Sequence, residues 1–434
     1  MYASSIVGIV IFVLLLGVLL FAQVKKVSFN VRALSSLVIG LGFGLILRTT
    51  VTDGAAHLSD LVAILDFSGS IYVKLLMMLI IPLVFTAIVH SIVNLRGKKG
   101  SYLTKVAFKT VAILLLTTGV SAIIGSYVAQ FFDIGHGLSI PGVVLDPSHS
   151  SAGILTTLLA MIPSNPVEAM ANNNVIAVVI FAVLIGVATL QLHKQEEKIA
   201  EPFIGFIHSA FFVSKKLANM VISLTPYGVM ALMTHMSLTQ GWTTLHQMIT
   251  FVGAMYIAMV IVLCMHIVLL LLVGVNPITY FKNVYRALLV AFTTRSSFGT
   301  MPVTMDALGN RMKLSESVSN FVPGVGATIG MNACAGVYPA MLVVMTMTIL
   351  GMPITWETVL FIAFINMIAS LGVSGIPGTA FVAAGVTLST MGLPYSIVAL
   401  VQGVDPIIDM GRTAVNVNAV MTTAVIVDKT TSVD

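Results

Sequence analysis

Long apolar runs recur from one end of this 434-residue chain to the other, and they constrain its fold more than any other feature. Most approach the ~20 residues that an α-helix needs to cross the hydrocarbon core of a bilayer. Inside that core every backbone polar group needs a partner within the protein, which favours helices. The sequence therefore predicts an all-α polytopic membrane protein. The runs cover residues 6–22, 34–47, 75–93, 113–128, 176–192, 251–273 and 340–350.

Charged residues are few, and the basic ones follow the pattern of membrane loops. Acidic and basic residues together make up 9% of the chain, whereas soluble domains carry about 25% charged residues. The net charge of +5 does not indicate a nucleic-acid partner, because Lys and Arg cluster between apolar runs, as they do in short cytoplasmic loops. This distribution predicts an N-terminus outside the cell membrane and a cytoplasmic C-terminus. The clusters lie at 25–32, 96–109, 194–216, 282–286, 311–313 and 429.

The first apolar run resembles a signal peptide only in its position. No Lys or Arg precedes Lys25, and no clear cleavage site of small residues follows the run. We therefore predict that residues 1–24 form a retained transmembrane helix.

Two short polar segments interrupt the second half of the chain. Residues 293–300 read Thr-Thr-Arg-Ser-Ser-Phe-Gly-Thr, and residues 374–378 read Ser-Gly-Ile-Pro-Gly. We interpret both as tips of helical hairpins that enter the bilayer and turn back, followed by helices over 316–350 and 396–427. The two units start from opposite sides of the membrane in this topology. Paired interrupted segments of opposite topology indicate a binding site near the bilayer midplane.

The last apolar segment carries a polar stripe. Asp405, Asp409, Arg412, Thr413 and Asn416 are separated by four, three, one and three residues, which places them on one face of a helix. Charges at membrane depth cost about 2.5–3.5 kcal/mol each on insertion scales, so they indicate function. One interpretation is an ion pair that only fixes helix packing. The other is a binding site in which Asp409 takes an ammonium group and Arg412 a carboxylate.

The hairpin tips and the segment between them also admit two interpretations each. The tip at 295–297 suits a carboxylate at a helix end or forms a plain polar turn, and the tip at 374–378 forms a mobile gate or an ordinary tight turn. The glycine-rich segment 324–336 predicts an unwound stretch with carbonyls for a hard cation, or close helix packing. Buried histidines such as His90 and His266 are more typical of structural roles than of proton carriers.

Several of these segments resemble the dicarboxylate/amino acid:cation symporter family, which has the glutamate transporter fold. The similarity extends over about residues 33–429. Within the family, residues 330–341 and the extra N-terminal span at 5–24 are most similar to the bacterial L-cystine symporters. The matching stretches are 74–85, 163–166, 294–300, 326–329, 375–378 and 405–416.

The resemblance implies a secondary active transporter and not an enzyme. It implies cation-coupled amino acid uptake, with L-cystine as the substrate, by a homotrimer in the cell membrane that works as an elevator. The implied fold has two re-entrant hairpins, inverted repeats and one additional N-terminal transmembrane helix. The implied division is an extra helix at 1–32, scaffold parts at 33–105 and 152–245, a transport-domain helix with an external loop at 106–151, and a transport domain at 246–434 with hairpins 287–312 and 354–392.

The resemblance also implies a binding site, residue by residue. Asp409 becomes the partner of the substrate amino group and Arg412 that of a carboxylate. The substrate contacts are Arg295, Ser296, Ser297, Cys334, Ser374, Gly375, Ile376, Pro377, Gly378, Asp409, Arg412, Thr413 and Asn416. The first cation site is Thr328, Met331, Ser370, Leu371 and Val373, with a weaker one at Gly326, Asn332 and Asn416.

Two departures from the family pattern concern the coupling ion. Asn332 and Val420 stand where aspartate transporters carry cation-binding aspartates, so we expect fewer coupled ions. Sodium is the expected ion, and protons remain an alternative. Phe298 and Cys334 replace hydroxyl residues, which favours a less polar part of the substrate.

Other functions remain open on the sequence alone. A dicarboxylate or Ser/Thr symporter on the same fold is compatible with Arg412. An intramembrane hydrolase is disfavoured, because the chain has no Gly-x-Ser-x-Gly motif and the tip serines have no nearby His in sequence. A channel differs in predicting current without exchange of solute.

Overall fold

The structure is a computed structural model that describes residues 3–50, 58–94, 101–138, 162–172, 174–373, 375, 378 and 380–431. These residues are mostly helical and contain no strand. The helices are α1 (Ala3–Val24), α2 (Phe29–Thr50), α3 (Ser59–Val93), α4 (Ser101–Phe131), α5 (Pro166–Ala171), α6 (Val175–Gln195), α7 (Glu197–Ser223), α8 (Thr225–Gln240), α9 (Trp242–Leu272), α10 (Pro277–Thr294), α11 (Ser297–Asp306), α12 (Glu316–Gly326), α13 (Tyr338–Ile349), α14 (Trp356–Ala369), α15 (Ala380–Thr390), α16 (Ser396–Val401) and α17 (Asp405–Thr430).

The helices confirm the predicted membrane class. Within the described part of the chain, seven are long and apolar enough to cross a bilayer, or eight if the bent pair α7 and α8 forms one span. Most of the predicted external loop falls outside the described residues.

A sharp bend separates α7 from α8 where the apolar pattern predicts one helix over about 202–235. The two helices meet at Leu224 with an angle of 46°. Pro226 lies in the first turn of α8, where its missing N–H removes no helical hydrogen bond. In one continuous helix the ring of Pro226 would clash with the carbonyl of Ile222 four residues earlier, so α7 ends and the chain turns.

The helix predicted over 316–350 is broken, as its glycine content indicates. Residues 327–331 between α12 and the next helical segment are not helical. The chain resumes with a π-helical segment, Asn332–Val337, which continues into α13. Gly330 has a φ of 70°, a left-handed conformation that glycine adopts without the steric cost of a Cβ. We call residues 327–331 the break.

The helices pack in two groups. Helices α2, α3, α6, α7 and α8 form one group of contacts, while α4, α9, α14, α15 and α17 pack against the broken helix. Most residues of α13 and α17 are buried, including all five of the polar stripe. The polar stripe of α17 therefore lies inside the protein.

The N-terminal helix α1 packs against the first turns of α3. Phe12 and Leu19 are buried in an apolar cluster with Leu61 and Leu65. Gly8 permits this approach, because a Cβ there would lie 2.7 Å from a Leu61 methyl carbon.

Candidate functional site: a buried charge cluster between two helix turns

The start of α17 brings three charged side chains together. Asp405 precedes Pro406, which fits a first helical turn, and Asp409 and Arg412 follow one and two turns later. The Nη2 of Arg412 donates a hydrogen bond of 2.5 Å to Asp405 Oδ1 and one of 3.1 Å to Asp409 Oδ1. The Arg412 side chain is 0% exposed, and those of Asp405 and Asp409 are 8% and 4% exposed.

The first predicted tip is a capped turn between α10 and α11. Helix α10 ends because Arg295 adopts a left-handed conformation with φ 55°. Helix α11 begins after Ser296, whose Oγ accepts a hydrogen bond of 3.0 Å from the backbone N–H of Gly299. This cap satisfies one of the N–H groups that have no partner in a first helical turn.

Arg295 adds a fourth charge to those on α17. Its side chain is 6% exposed, and its Nε lies 3.9 Å from Asp409 Oδ2. We call Arg295, Asp405, Asp409 and Arg412 the charge cluster. Its two cations and two anions balance, so the group tolerates burial that would be costly for an unpaired charge.

The two predicted tips contact each other above Asp409. Both the backbone N–H of Phe298 and the Oγ of Ser296 donate to the carbonyl oxygen of Gly375, each at 3.3 Å. The backbone N–H of Gly378 donates to Asp409 Oδ2, also at 3.3 Å. The second tip is thus tied both to the first tip and to the charge cluster.

The close approach of the tips requires a glycine at position 375. A Cβ there would lie 2.6 Å from the carbonyl oxygen of Ala327 and 2.9 Å from the Cβ of Ser297. The backbone atom cannot move without shifting the break. Gly375 therefore sits where the first tip, the second tip and the break meet.

Tyr338 lies beneath the guanidinium of Arg412. The ring centroid is 4.3 Å from the Arg412 Cζ, which is a cation–π distance. The Nε and Nη1 of Arg412 and the Oη of Tyr338 are buried and have no hydrogen-bond partner among the described residues. Buried donors of this kind normally have a partner, so these three atoms indicate a place for a ligand with acceptor oxygens.

Asn416 links the last helix to the start of the segment after the break. Its Oδ1 accepts hydrogen bonds of 2.8 and 3.3 Å from the backbone N–H groups of Ala333 and Cys334. Cys334 and Thr413 are both buried. The structure thus brings Cys334 and Asn416 together, and Thr413 lies next to Arg412 on the same helix.

The residues of the first predicted cation site lie on two adjoining stretches. The backbone N–H of Gly330 in the break donates to the carbonyl oxygen of Ser370 at 3.2 Å. The Oγ1 of Thr328 donates to the carbonyl oxygen of Val325 at 3.0 Å. The first contact joins the break to the end of α14, and the second joins it to α12. Met331 and Val373 are buried, and Leu371 is partly buried.

The weaker predicted cation residues have other neighbours. A Cβ on Gly326 would lie 2.3 Å from a methyl carbon of Val420. Asn332 contacts the hydroxyls of Thr117 and Thr118 and the ring of His266. Gly326 therefore faces an apolar side chain, and the Asn332 carboxamide is already engaged on both sides.

Some residues of the site were not predicted from the sequence, and others lie outside the described residues. Ser374, Ile376 and Pro377 lie outside the described residues. Tyr338 was not among the predicted contacts, and its sequence position carries no signal that relates it to Arg412. Asp405 shares the helical stripe, which could have assigned it to the site. Phe298 is expected near the substrate. Its ring centroid lies 4.2 Å from the Nζ of Lys215.

The sequence was also compared with known proteins. The family model for the sodium:dicarboxylate symporter family matches residues 29–430, which leaves α1 outside the match. The chain is 36% identical to the L-cystine uptake protein TcyP of Bacillus anthracis, over 98% of this chain and 94% of that protein. It is 35% identical to an uncharacterized symporter of Haemophilus influenzae, over 98% of this chain and 99% of that protein. It is 31% identical to the L-cystine uptake protein TcyP of Shouchella clausii, over 96% and 92% of the two chains.

These matches confirm the predicted family and the prediction that the protein is not an enzyme. They cover the whole of the charge cluster, both tips and the break. The chain belongs to the sodium:dicarboxylate symporter family and is a cation-coupled symporter.

Proposed function

We propose that this symporter takes up an amino acid, with L-cystine as the substrate. The observation that carries the proposal is the buried Arg412, which has two donors without a partner among the described residues beside the carboxylate of Asp409. A group that presents both a carboxylate and an ammonium ion matches these two side chains. The names of the relatives support L-cystine.

The substrate would exchange partners with the charge cluster. Its α-ammonium group would bind Asp409, which now contacts Arg295 and Arg412. Its carboxylate would accept hydrogen bonds from Arg412 Nε and Nη1, and Tyr338 Oη would supply a third donor. Because an amino acid brings one charge of each sign, the cluster stays balanced when it binds.

L-Cystine carries this zwitterionic group at each end and is neutral overall. Its disulfide is weakly polar and suits the environment of Cys334, which is buried beside Asn416. A dicarboxylate would bring a second negative charge to a cluster that is already balanced. This difference favours a neutral amino acid over aspartate or glutamate.

For the coupling ion we propose sodium, held by oxygens near the break. Hard cations prefer carbonyl and hydroxyl oxygens. The hydroxyl of Thr328 and the main chain of residues 370–373 offer such oxygens, and the hydrogen bond from Gly330 to Ser370 brings the two stretches together. With Val420 beside Gly326 and Asn332 engaged elsewhere, we propose fewer coupled ions than in the glutamate transporters. Coupling to protons is the alternative.

The remaining expectations from the sequence form part of the same proposal. They are a homotrimer, a cytoplasmic C-terminus, the division into scaffold and transport domain given above, and elevator-type movement of the domain that carries both tips. Two contacts join the tips to α7 and would have to break in this movement. Phe298 of the first tip lies against Lys215, and a Cβ on Gly378 would be 3.6 Å from Ile222.

Counterflow in proteoliposomes tests the proposed function. Vesicles loaded with unlabelled L-cystine should accumulate labelled L-cystine in a saturable manner, and uptake into empty vesicles should require an inward sodium gradient. Uptake that follows an imposed proton gradient without sodium would replace sodium by protons.

Competition and current measurements separate the rival functions. Stronger displacement of the label by aspartate or serine than by cystine would assign the protein to another substrate. Current without exchange of solute would indicate a channel. The proposal fails if no amino acid exchanges across vesicles that contain folded protein.

A further inference from the structure

A second buried polar cluster lies apart from the charge cluster and is centred on His266. The imidazole belongs to α9 and is 1% exposed. Its Nε2 lies 2.9 Å from the Asn332 carboxamide, and its Nδ1 lies 3.0 Å from the Asn418 carboxamide. Both asparagines are 0% exposed. One ring therefore bridges the first residue after the break and a residue of α17.

The far side of each carboxamide has hydroxyl partners. Thr117 Oγ1 and Thr118 Oγ1 on α4 lie 3.1 and 3.2 Å from Asn332 Oδ1. The Oη of Tyr280 on α10 lies 3.0 Å from Asn418 Oδ1. The cluster consequently joins α4, the segment after the break, α9, α17 and α10. We call it the His266 bridge.

The direction of the hydrogen bonds follows from counting donors at the Asn332 end. Each threonine hydroxyl has a single hydrogen, and the shorter contact takes it. Thr117 donates to the carbonyl oxygen of Ile113 at 2.8 Å, and Thr118 donates to that of Leu114 at 2.7 Å. Both hydroxyl oxygens then accept from the NH₂ group of Asn332. In the structure Asn332 Oδ1 faces the two hydroxyls and Nδ2 faces the ring, so this pattern requires a half-turn of the carboxamide, which exchanges the two atoms and turns the carbonyl oxygen towards the ring.

The other end of the bridge agrees with this direction. The hydroxyl of Tyr280 donates to Asn418 Oδ1, so the NH₂ group of Asn418 donates to His266 Nδ1. Nε2 then carries the ring hydrogen, and with the Asn332 carboxamide turned it donates to the carbonyl oxygen that replaces Nδ2 at 2.9 Å. A neutral imidazole supplies one donor and one acceptor, which is what the two asparagines require.

We propose that His266 is a positioning residue for the proposed substrate site. Its neutral imidazole holds the segment after the break against the last helix by hydrogen bonds. Asn332 directly precedes Ala333 and Cys334, whose N–H groups bind Asn416. Asn418 lies two residues after Asn416 on α17. The bridge thus fixes the distance between the chain at Cys334 and the face of α17 that carries the proposed substrate contacts.

The bridge also assigns a role to Asn332 that differs from cation binding. With the carboxamide turned, its carbonyl oxygen accepts a hydrogen bond from the ring and is not offered to an ion. The neutral N–H of the imidazole thus occupies the position at that oxygen which a bound cation would take. This inference rests on the proposed function for its link to substrate affinity, but not for the geometry of the bridge.

Two substitutions distinguish a neutral bridge from other roles of His266. Glutamine has a donor and an acceptor on one planar group, about as far apart as the two ring nitrogens, and it does not titrate. Leucine fills a similar volume but has neither a donor nor an acceptor. In sodium-containing buffer we expect His266→Gln to bind L-cystine within about threefold of the unchanged protein and His266→Leu to bind at least about tenfold more weakly, since two buried hydrogen bonds are lost.

Hydrogen exchange of the backbone amides at 327–337 gives a second readout that needs no substrate. His266→Leu should exchange faster there, and His266→Gln should match the unchanged protein. His246→Leu, an exposed histidine on the same helix, is the matched control and should leave both readouts unchanged. If His266→Leu does not fold, Tyr280→Phe removes one hydroxyl of the bridge at nearly constant volume and should raise exchange at 327–337.

Each result decides between the possibilities. Equal loss in His266→Gln and His266→Leu would overturn the neutral bridge in favour of a titrating histidine. Unchanged affinity and exchange in His266→Leu would remove the positioning role. If even the unchanged protein binds no amino acid, the proposed function fails, while the exchange measurements still test the bridge.

Discussion

Arg412 donates a hydrogen bond of 2.5 Å to Asp405, which lies two turns earlier in the same helix, and both side chains are buried. The contact uses Nη2 alone, so it holds the guanidinium in place while leaving Nε and Nη1 for another partner. Asp409 contacts the same Nη2 and also faces Arg295. One carboxylate thus orients the arginine, and the other is shared between two cations.

The first prediction concerns Asp409. Asp409→Asn keeps the size of the side chain but removes the charge proposed to bind the ammonium group of the substrate. We expect the Kd for L-cystine to rise roughly 30- to 150-fold, from the loss of about 2–3 kcal/mol for a buried hydrogen bond to a charged group. Titration of the purified protein with L-cystine, followed by calorimetry, measures it.

Asp306→Asn is the control for Asp409→Asn. Asp306 pairs with Arg311 at the protein surface, where an ion pair contributes at most about 1 kcal/mol. Its substitution should leave the Kd unchanged. An Asp409→Asn protein with undiminished affinity would show that this carboxylate does not bind the substrate.

The second prediction concerns the shape of the Arg412 side chain. Arg412→Lys keeps the positive charge but offers one compact ammonium group in place of a planar fork. A lysine that reaches Asp405 has no further rigid donors for a carboxylate, so we expect affinity to fall at least about tenfold. Arg286→Lys, at an exposed position next to Tyr285, serves as the matched control and should bind normally.

The features of the site that were predictable from the sequence depend on local chemistry. The break follows from closely spaced glycines, and Gly330 indeed has a positive φ. The turn at Arg295 and Ser296 follows from a polar segment with a capping serine. The stripe on α17 follows from spacing alone, because the period of a helix places Asp405, Asp409 and Arg412 on one side.

The features that were not predictable depend on packing between distant segments. Tyr338 lies below Arg412 only because α13 and α17 are brought together by the whole bundle. His266 touches Asn332 and Asn418, which are 66 and 152 residues away in sequence. The bend at Leu224 was missed because apolar residues continue on both sides of it and conceal the effect of Pro226.

The third prediction concerns the contact between α7 and the first tip. The Nζ of Lys215 lies 4.2 Å from the ring centroid of Phe298, a contact that contributes about 0.5–2 kcal/mol. It lies outside the charge cluster, so Lys215→Met should leave the Kd for L-cystine nearly unchanged. If the tip moves relative to α7 during transport, loss of the contact destabilises the present state, and counterflow should be roughly 2- to 30-fold faster.

Lys216→Met provides the comparison for Lys215→Met. Lys216 is the next residue, is exposed and carries the same charge, but no ring contact of its side chain is recorded in the described part of the chain. Its substitution should alter neither affinity nor counterflow. Equal rates in the two variants would mean that the contact with Phe298 does not restrain the tip.

The fourth prediction tests whether the two tips must touch for the substrate to be held. In Gly375→Ala, the new methyl group would lie 2.6 Å from the carbonyl oxygen of Ala327 and 2.9 Å from Ser297 Cβ, so one of the three segments has to shift. Such overpacking costs about 1–3 kcal/mol. We expect the Kd for L-cystine to rise by roughly 5- to 150-fold, because the hydrogen bonds from Ser296 and Phe298 to residue 375 would be strained.

Gly324→Ala separates this effect from a general sensitivity to glycine replacement. Gly324 is helical, and a Cβ there meets no atom within 4 Å, so alanine should raise helix stability by about 0.5–1 kcal/mol. Its Kd should match that of the unchanged protein, and its thermal unfolding midpoint should not fall. Because Gly375→Ala disturbs the place where the two tips and the break meet, a normal Kd in that variant would mean that the substrate is held without the closed arrangement of the two tips.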